Sequence, residues 1–285
     1  MERVETAEDL REWVASWRRA GERIALVPTM GNLHAGHLAL VDRARTLAER
    51  VVASVFVNPT QFSAGEDFAI YPRTPDADCA ALAAQGADLA FLPTVAVMYP
   101  AGLPGAVRVE VSGALTEGLC GASRPGHFSG VATVVTKLFN LVQPDVAVFG
   151  KKDYQQLAVI RAVVRELGLP VRIEGVETWR DTDGLALSSR NQYLDPAQRA
   201  RAGAIHAALT EGAAALAAGE RDYAALEAQA TARLVAAGFA VDYARIVRPE
   251  NLQAPTGQEN RLVMLVAARL ESTRLIDNIE VKLSE

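Results

Sequence analysis

The stretch Pro28-Thr29-Met30-Gly31-Asn32-Leu33-His34-Ala35-Gly36-His37 sets two histidines three positions apart, where an apolar run gives way to a helical pattern. Such a place suits an anion. The N–H groups and dipole of a helix start favour a phosphate, Gly36 lets the backbone come close to it, and His34 and His37 can face one ligand as donors. A plain glycine turn with two surface histidines is the competing reading. A His/His metal pair is another, but the sequence nearby offers no third ligand.

Three more segments carry polar groups of the same kind. Phe149-Gly150-Lys151-Lys152-Asp153-Tyr154-Gln155-Gln156 follows a strand-like run and opens a helix, so an ammonium can reach phosphate oxygens and Asp153 can cap the helix or bond a ribose hydroxyl. Only four of the 29 basic residues are lysines, Lys137, Lys151, Lys152 and Lys282, which makes the pair notable; a capped helix with solvated lysines is the alternative. Leu187-Ser188-Ser189-Arg190-Asn191 sets two hydroxyls before a guanidinium, able to close over a triphosphate or to form a polar turn. In Val57-Asn58-Pro59-Thr60-Gln61-Phe62, Gln61 is a neutral donor and acceptor, as is Gln156, and both could equally be ordinary surface glutamines.

The elements that must hold these segments follow from periodicity. Arg23 to Pro28, Val51 to Val57, Ala87 to Leu92, Val107 to Val111 and Asp145 to Phe149 read as strands. His37 to Arg50, Pro75 to Gln85 and Gly130 to Leu141 read as helices. That alternation predicts an α/β fold, a Rossmann-like parallel sheet with ligands at the strands' carboxyl ends. After about Asp183 the pattern changes to alanine-rich helices, Pro196 to Ala218 and Asp222 to Ala237, followed by strands Phe239 to Val247, Arg261 to Ala268 and Thr273 to Val281. The expected division is a domain over 1–182 and a smaller α+β lid domain over 183–285 that carries the Ser-Ser-Arg segment.

Composition excludes several classes. The 285 residues are 50% hydrophobic and 22% charged with a net charge of −5, which argues against broad electrostatic binding to nucleic acid. No apolar run approaches the roughly 20 residues of a membrane span. The opening Met1 to Glu5 lacks a signal-peptide core, and Cys79 and Cys120 form no CxxC pair, so a cytoplasmic protein is expected.

The His-x-Gly-His segment is similar to the signature of enzymes that split ATP between its α and β phosphates, among them class I aminoacyl-tRNA synthetases and small nucleotidylyltransferases. Leu187 to Asn191 stands where that superfamily carries its second signature. With Tyr71-Pro72-Arg73-Thr74, Arg124-Pro125-Gly126-His127-Phe128-Ser129-Gly130-Val131 and Gly184 to Asn191 added, the chain resembles the pantoate:beta-alanine ligase family over essentially its whole length. The resemblance implies that pantoate attacks ATP to give pantoyl adenylate and that beta-alanine then displaces AMP. Magnesium is expected on the phosphates, with no protein ligand assigned to it. The family pattern assigns ATP to Met30, Gly31, Asn32, Leu33, His34, Ala35, Gly36 and His37, with His37 the donor to the phosphates and His34 its partner. It assigns ATP also to Gly150, Lys151, Lys152, Asp153, Trp179, Leu187, Ser188, Ser189 and Arg190, the catalytic set being His34, His37, Lys152 and Arg190. Gln61 and Gln156 are expected to hold pantoate, Gln61 beside beta-alanine. The family implies a homodimer through the first domain.

Two positions depart from the pattern. Lys151 stands where the family usually has Glu, and Trp179 where a small aliphatic residue is usual. Asp78 reads as a metal-side carboxylate or as a helix-surface acid. A nucleotidylyltransferase would more naturally line its acceptor site with Arg or Lys. A tRNA synthetase would need a tRNA-binding domain, and an ATP-binding regulatory protein would not need the histidine, lysine and serine set.

Overall fold

Six short strands lie side by side in the computed structural model, which describes residues 1–63 and 65–283. They are β1 (Glu2–Val4), β2 (Ile24–Thr29), β3 (Arg50–Val55), β4 (Leu89–Phe91), β5 (Val146–Gly150) and β6 (Arg172–Val176), in the order β1-β4-β3-β2-β5-β6. Every pairing is parallel. Residues 24–27 of β2 are wholly buried, as a strand covered on both faces must be. Ala25 and Val27 join Leu40, Val41 and Ala44 of α2 (Ala35–Arg45) and Leu82 of α3 (Pro75–Ala84) in one core cluster. By alternation Ile24 and Leu26 point to the opposite face.

From β2 the chain steps outward to β3 and β4, then returns to lay β5 on the other side of β2. That reversal between β2 and β5 is where a doubly wound sheet leaves a crevice at its carboxyl ends. The segments that follow β2 and β5 carry His34 to His37 and Lys151 to Asp153.

The remaining helices are α1 (Ala7–Arg19), the one-turn α4 (Val95–Met98), α5 (Ala114–Glu117) and α6 (Cys120–Ser123), α7 (His127–Val142), α8 (Tyr154–Glu166), α9 (Pro196–Ala202), α10 (Ala204–Ala217) and α11 (Tyr223–Ala236). Among the described residues, no helix is long and apolar enough to cross a membrane. Three readings from periodicity are corrected. The helix read to Arg50 stops at Arg45, where the Thr46 hydroxyl turns back onto the Arg43 carbonyl at 2.7 Å. The run 107–111 forms no strand among the described residues; the Val109 N–H donates instead to the Thr133 hydroxyl at 2.9 Å. The helix read over 196–218 is two, α9 and α10, broken at Gly203, where a Cβ would come within 3.0 Å of the Asp183 carbonyl oxygen.

The chain packs as two compact units. The first takes residues 1–112, 124–151 and 159–177; the second takes 113–123, 152–158 and the chain from Thr178 on. The second unit is built on an antiparallel sheet of β7 (Ala240–Val247), β8 (Arg261–Leu270) and β9 (Thr273–Lys282). Leu209 and Leu216 of α10 and Leu234 of α11 pack with Met264 and Val266 of β8 into its core. Met264 fits only because residue 212 is glycine, whose Cβ would lie 2.5 Å from the thioether sulfur.

Candidate active site

In the first unit, the loop after β2 makes a sharp turn through Gly31 (φ 82°) and Asn32 (φ 51°). Left-handed residues in succession turn their N–H groups to one side, a geometry that gathers anions. Here an internal carboxylate fills that role. Asp78 of α3, 2% exposed, accepts the Asn32 N–H at 3.0 Å and the Leu33 N–H at 2.8 Å, and the Thr74 hydroxyl donates to it at 3.2 Å. Asp78 is therefore not a helix-surface acid. A Cβ on Gly31 would sit 2.9 Å from its Oδ2 and 3.0 Å from the Val55 side chain, so glycine is required by space as well as by φ.

His34 caps α2 and its ring lies 4.0 Å from that of His37, centroid to centroid, tilted by 35°. The His34 N–H donates to His37 Nδ1 at 3.3 Å. With Nδ1 accepting, neutral His37 carries its proton on Nε2 and can donate from there. The first turn of α2, Ala35, Gly36 and His37, adds the positive end of the helix dipole.

Gln61 closes a single 3-10 turn, Pro59–Gln61, after β3. Its Nε2 donates to the Met30 sulfur at 2.9 Å, and its Oε1 accepts from Asn58 Nδ2 at 3.2 Å. Asn58 is 1% exposed and fully engaged: Nδ2 also donates to the Gly130 carbonyl at 3.2 Å, while Oδ1 accepts from Tyr99 Oη at 2.7 Å and Thr60 Oγ1 at 3.0 Å. Burial pushes the Tyr99 phenol above its ordinary pKa, which keeps it a donor. Asn58, Asp78 and Tyr99 are polar groups whose part in the site motif spacing did not assign. Gly150 ends β5, and a Cβ there would meet nothing within 4 Å, leaving room for a close ligand. Lys151 Nζ pairs with Glu177 Oε1 at 2.5 Å, so the departure at 151 has its own counter-charge.

The second unit holds the remaining expected residues. Lys152 Nζ stands 4.0 Å from Asp153 Oδ2, a loose pairing, and among the described residues its ammonium keeps unspent donors. Its carbonyl is tied to β9 by Asn278 Nδ2 at 2.9 Å. The two adjacent glutamines differ: Gln155 is 5% exposed and accepts from Cys120 N while donating to the Leu115 and Gly118 carbonyls, each at 2.9 Å, whereas Gln156 is half-buried. Gln155 thus fixes the α5–α6 segment.

Trp179 and Leu187 are brought together by a backbone bond, Leu187 N to Trp179 O at 2.9 Å, next to an isolated bridge between Arg180 and Ala186. The indole is 50% exposed, and the position contributes its backbone to this pairing. Ser188 caps the 3-10 turn Ser189–Tyr193, its hydroxyl accepting the Arg190 N–H at 3.3 Å. Arg180 anchors the hairpin base through two bonds to the buried Asp277, 2.5 and 2.9 Å long, and through the Gly184 and Asn278 carbonyls.

Within the first unit, the Gln61 amide beside the Met30 loop is of a type that can orient a carboxylate; within the second, Lys152 and Arg190 are cations of a type that can meet phosphate charge. A family model described as pantoate-beta-alanine ligase matches residues 2–280. The pantothenate synthetase of Methylococcus capsulatus is 55% identical over 283 residues, covering 99% of each chain. That of Halorhodospira halophila is 56% identical over 284 residues, with the same coverage. The crystal structure of pantothenate synthetase from Thermus thermophilus matches with a TM-score of 0.93 at 49% identity, over 99% of this chain and 100% of that one. The ligase from Francisella tularensis, crystallised with beta-gamma ATP and beta-alanine, matches with a TM-score of 0.83 at 31% identity, over 98% and 97%.

Proposed function

The chain belongs to the pantoate-beta-alanine ligase family, and from that membership we propose how its residues divide the work. The reaction is an ATP-dependent ligation of pantoate and beta-alanine to pantothenate. The pantoate carboxylate attacks the α-phosphorus of ATP and pyrophosphate departs, leaving pantoyl adenylate. The amine of beta-alanine then attacks the acyl carbon, AMP leaves and the nitrogen loses a proton.

Residues 30–37 take the phosphates, with His37 donating through Nε2 and the α2 N-terminus adding its dipole. Lys152 and Arg190 meet the charge that grows on the departing pyrophosphate. Gly150, Asp153, Trp179, Leu187, Ser188 and Ser189 complete the nucleotide contacts. Gln61 and Gln156 orient pantoate; a neutral amide directs a carboxylate without quenching its nucleophilicity as a guanidinium would. The observation that carries this reading is the 2.9 Å contact of Gln61 with Met30, which sets a carboxylate-orienting amide against the nucleotide loop within one compact unit.

Magnesium, when bound with the triphosphate, would supply neutralising charge to the phosphate oxygens. Among the described residues no three His, Cys, Asp or Glu side chains gather as a metal site, so on this reading phosphate oxygens and water hold the ion. On this reading the protein works in the cytoplasm as a homodimer through the first unit, as the family resemblance implies. Sedimentation that shows only the mass of one chain at micromolar concentration overturns the dimer.

Exchange of labelled pyrophosphate into ATP, measured with pantoate and without beta-alanine, tests adenylation. Exchange that requires pantoate and stops with a chelator is expected. A rate equal to the blank without pantoate sinks the mechanism, and exchange supported by a phosphate or alcohol acceptor would favour a nucleotidylyltransferase.

A further inference from the structure

The ring of His127, the first residue of α7, lies between two polar groups. Its Nδ1 is 2.7 Å from the Gln61 carbonyl oxygen, and its Nε2 is 3.0 Å from Arg124 Nη1. A guanidinium can only donate, so Nε2 accepts and the ring proton sits on Nδ1, donating to Gln61. Arg124 Nη2 reaches the same carbonyl at 3.3 Å.

Arg124 is fixed in turn. Its Nε and Nη2 grip Glu66 at 2.6 and 2.8 Å, and Glu66 Oε2 accepts the Ser63 N–H at 3.1 Å. Burial alone would raise the Glu66 pKa, but the guanidinium wins and holds it below the ordinary carboxylate range, so the pair stays ionic. The turn that aims both side chains is closed by His127 N donating to the Arg124 carbonyl at 3.1 Å, with Gly126 at φ 80°. Farther along α7, a Cβ on Gly130 would lie 2.3 Å from the Thr60 carbonyl oxygen and 2.7 Å from Gln61 Cα. The helix therefore rests directly on the backbone that carries Gln61.

We infer that Arg124 and His127 are positioning residues that fix the backbone of Gln61 and so aim its amide at the pantoate carboxylate. The inference rests on the assignment of Gln61 to pantoate. An amide whose backbone is held at the carbonyl and packed from below reaches substrate already oriented, and that lowers the cost of binding.

The test compares substitutions that keep or move one donor. His127→Asn retains an N–H at the Nδ1 position, His127→Gln moves it one bond outward to the Nε2 position, and His127→Ala removes it. Expected are a KM for pantoate raised about tenfold in the Ala and Gln variants, a value within about threefold of the parent in the Asn variant, and a KM for ATP within about twofold in all three. In a Gln61→Ala background, His127→Ala should change the pantoate KM no further. A pantoate KM that rises equally in the Asn and Gln variants, an ATP KM that rises as much as the pantoate KM, or additive effects in the double variant would overturn the inference while Gln61 keeps its role. If Gln61→Ala itself leaves the pantoate KM unchanged, the assignment of Gln61 fails and the inference falls with it.

Discussion

The carboxylate of Asp78 accepts the backbone N–H of Leu33 at 2.8 Å, joining α3 to the loop in front of His34. With the second bond to Asn32 it occupies donors that would otherwise seek water or an anion. Asp78→Ala leaves two of them stranded in a buried place, at a cost of about 2 to 4 kcal/mol. ATP affinity should fall at least tenfold as the loop loses its shape. Urea denaturation and calorimetric titration with ATP measure the two effects; an unchanged ATP affinity would show that the loop holds itself.

The adjacent lysines should behave differently. If Lys152 stabilises charge that appears only as pyrophosphate leaves, Lys152→Ala slows adenylation about 10²- to 10³-fold, or about 3 to 4 kcal/mol. Lys151 pairs with Glu177, which is 81% exposed, so its ion pair is screened and weak. Lys151→Glu should alter the adenylation rate less than about threefold, with the change in ATP affinity shrinking at high salt. Single-turnover quench experiments decide between them. Loss of chemistry in the Lys151 variant alone would shift the assignment by one residue.

Asp277 is 3% exposed and holds Arg180 with two bonds at the base of the hairpin leading to Ser188. Removing one member of a buried ion pair leaves the other charge uncompensated. Asp277→Ala should lower stability by about 3 to 5 kcal/mol. Thermal unfolding should show that loss, and the Asp277→Ala, Arg180→Met double variant should regain part of it. A double variant less stable than the single one would contradict this account.

His206 lies against Gly184, and its pKa is lowered, first by burial and then by the Arg180 guanidinium. The folded protein therefore favours the neutral ring, and the unfolded chain binds the extra proton. The contribution is fully present above the ordinary value of 6.5 and is lost as pH falls from there through the folded pKa. Melting temperatures taken from pH 7.5 to 5 should decline, and His206→Gln should flatten the decline. Parallel curves for the two proteins would assign the slope to other groups.

Pattern in the sequence reaches as far as local rules do. The apolar runs of β2, β3 and β5 and the helical spacing of α3 are legible because burial on both faces, or on one stripe, is written within a few residues. The motif loops could be assigned to strand ends for the same reason. Val107 to Val111 shows the limit: its β-branched residues fit a strand, but pairing needs a neighbour, and Thr133 supplies a hydroxyl instead. Asp78 is similar. Its burial depends on where α3 lands against a loop 45 residues earlier, and no local feature separates it from the exposed Asp76 on the same helix. Gln155 and Gln156 are equivalent as letters, and only the position of the α5–α6 segment decides which one is buried.

The bond from Asn278 to the Lys152 carbonyl spans 126 residues of chain. During synthesis, Lys152 leaves the ribosome long before the strand that seats it exists. A growing chain can therefore lay down the β2 loop and its histidines while the lysine expected to act on ATP still lacks part of its mooring. If Lys152 acts on ATP, adenylation waits on completion of the polypeptide, and fragments ending before β9 should not acquire it.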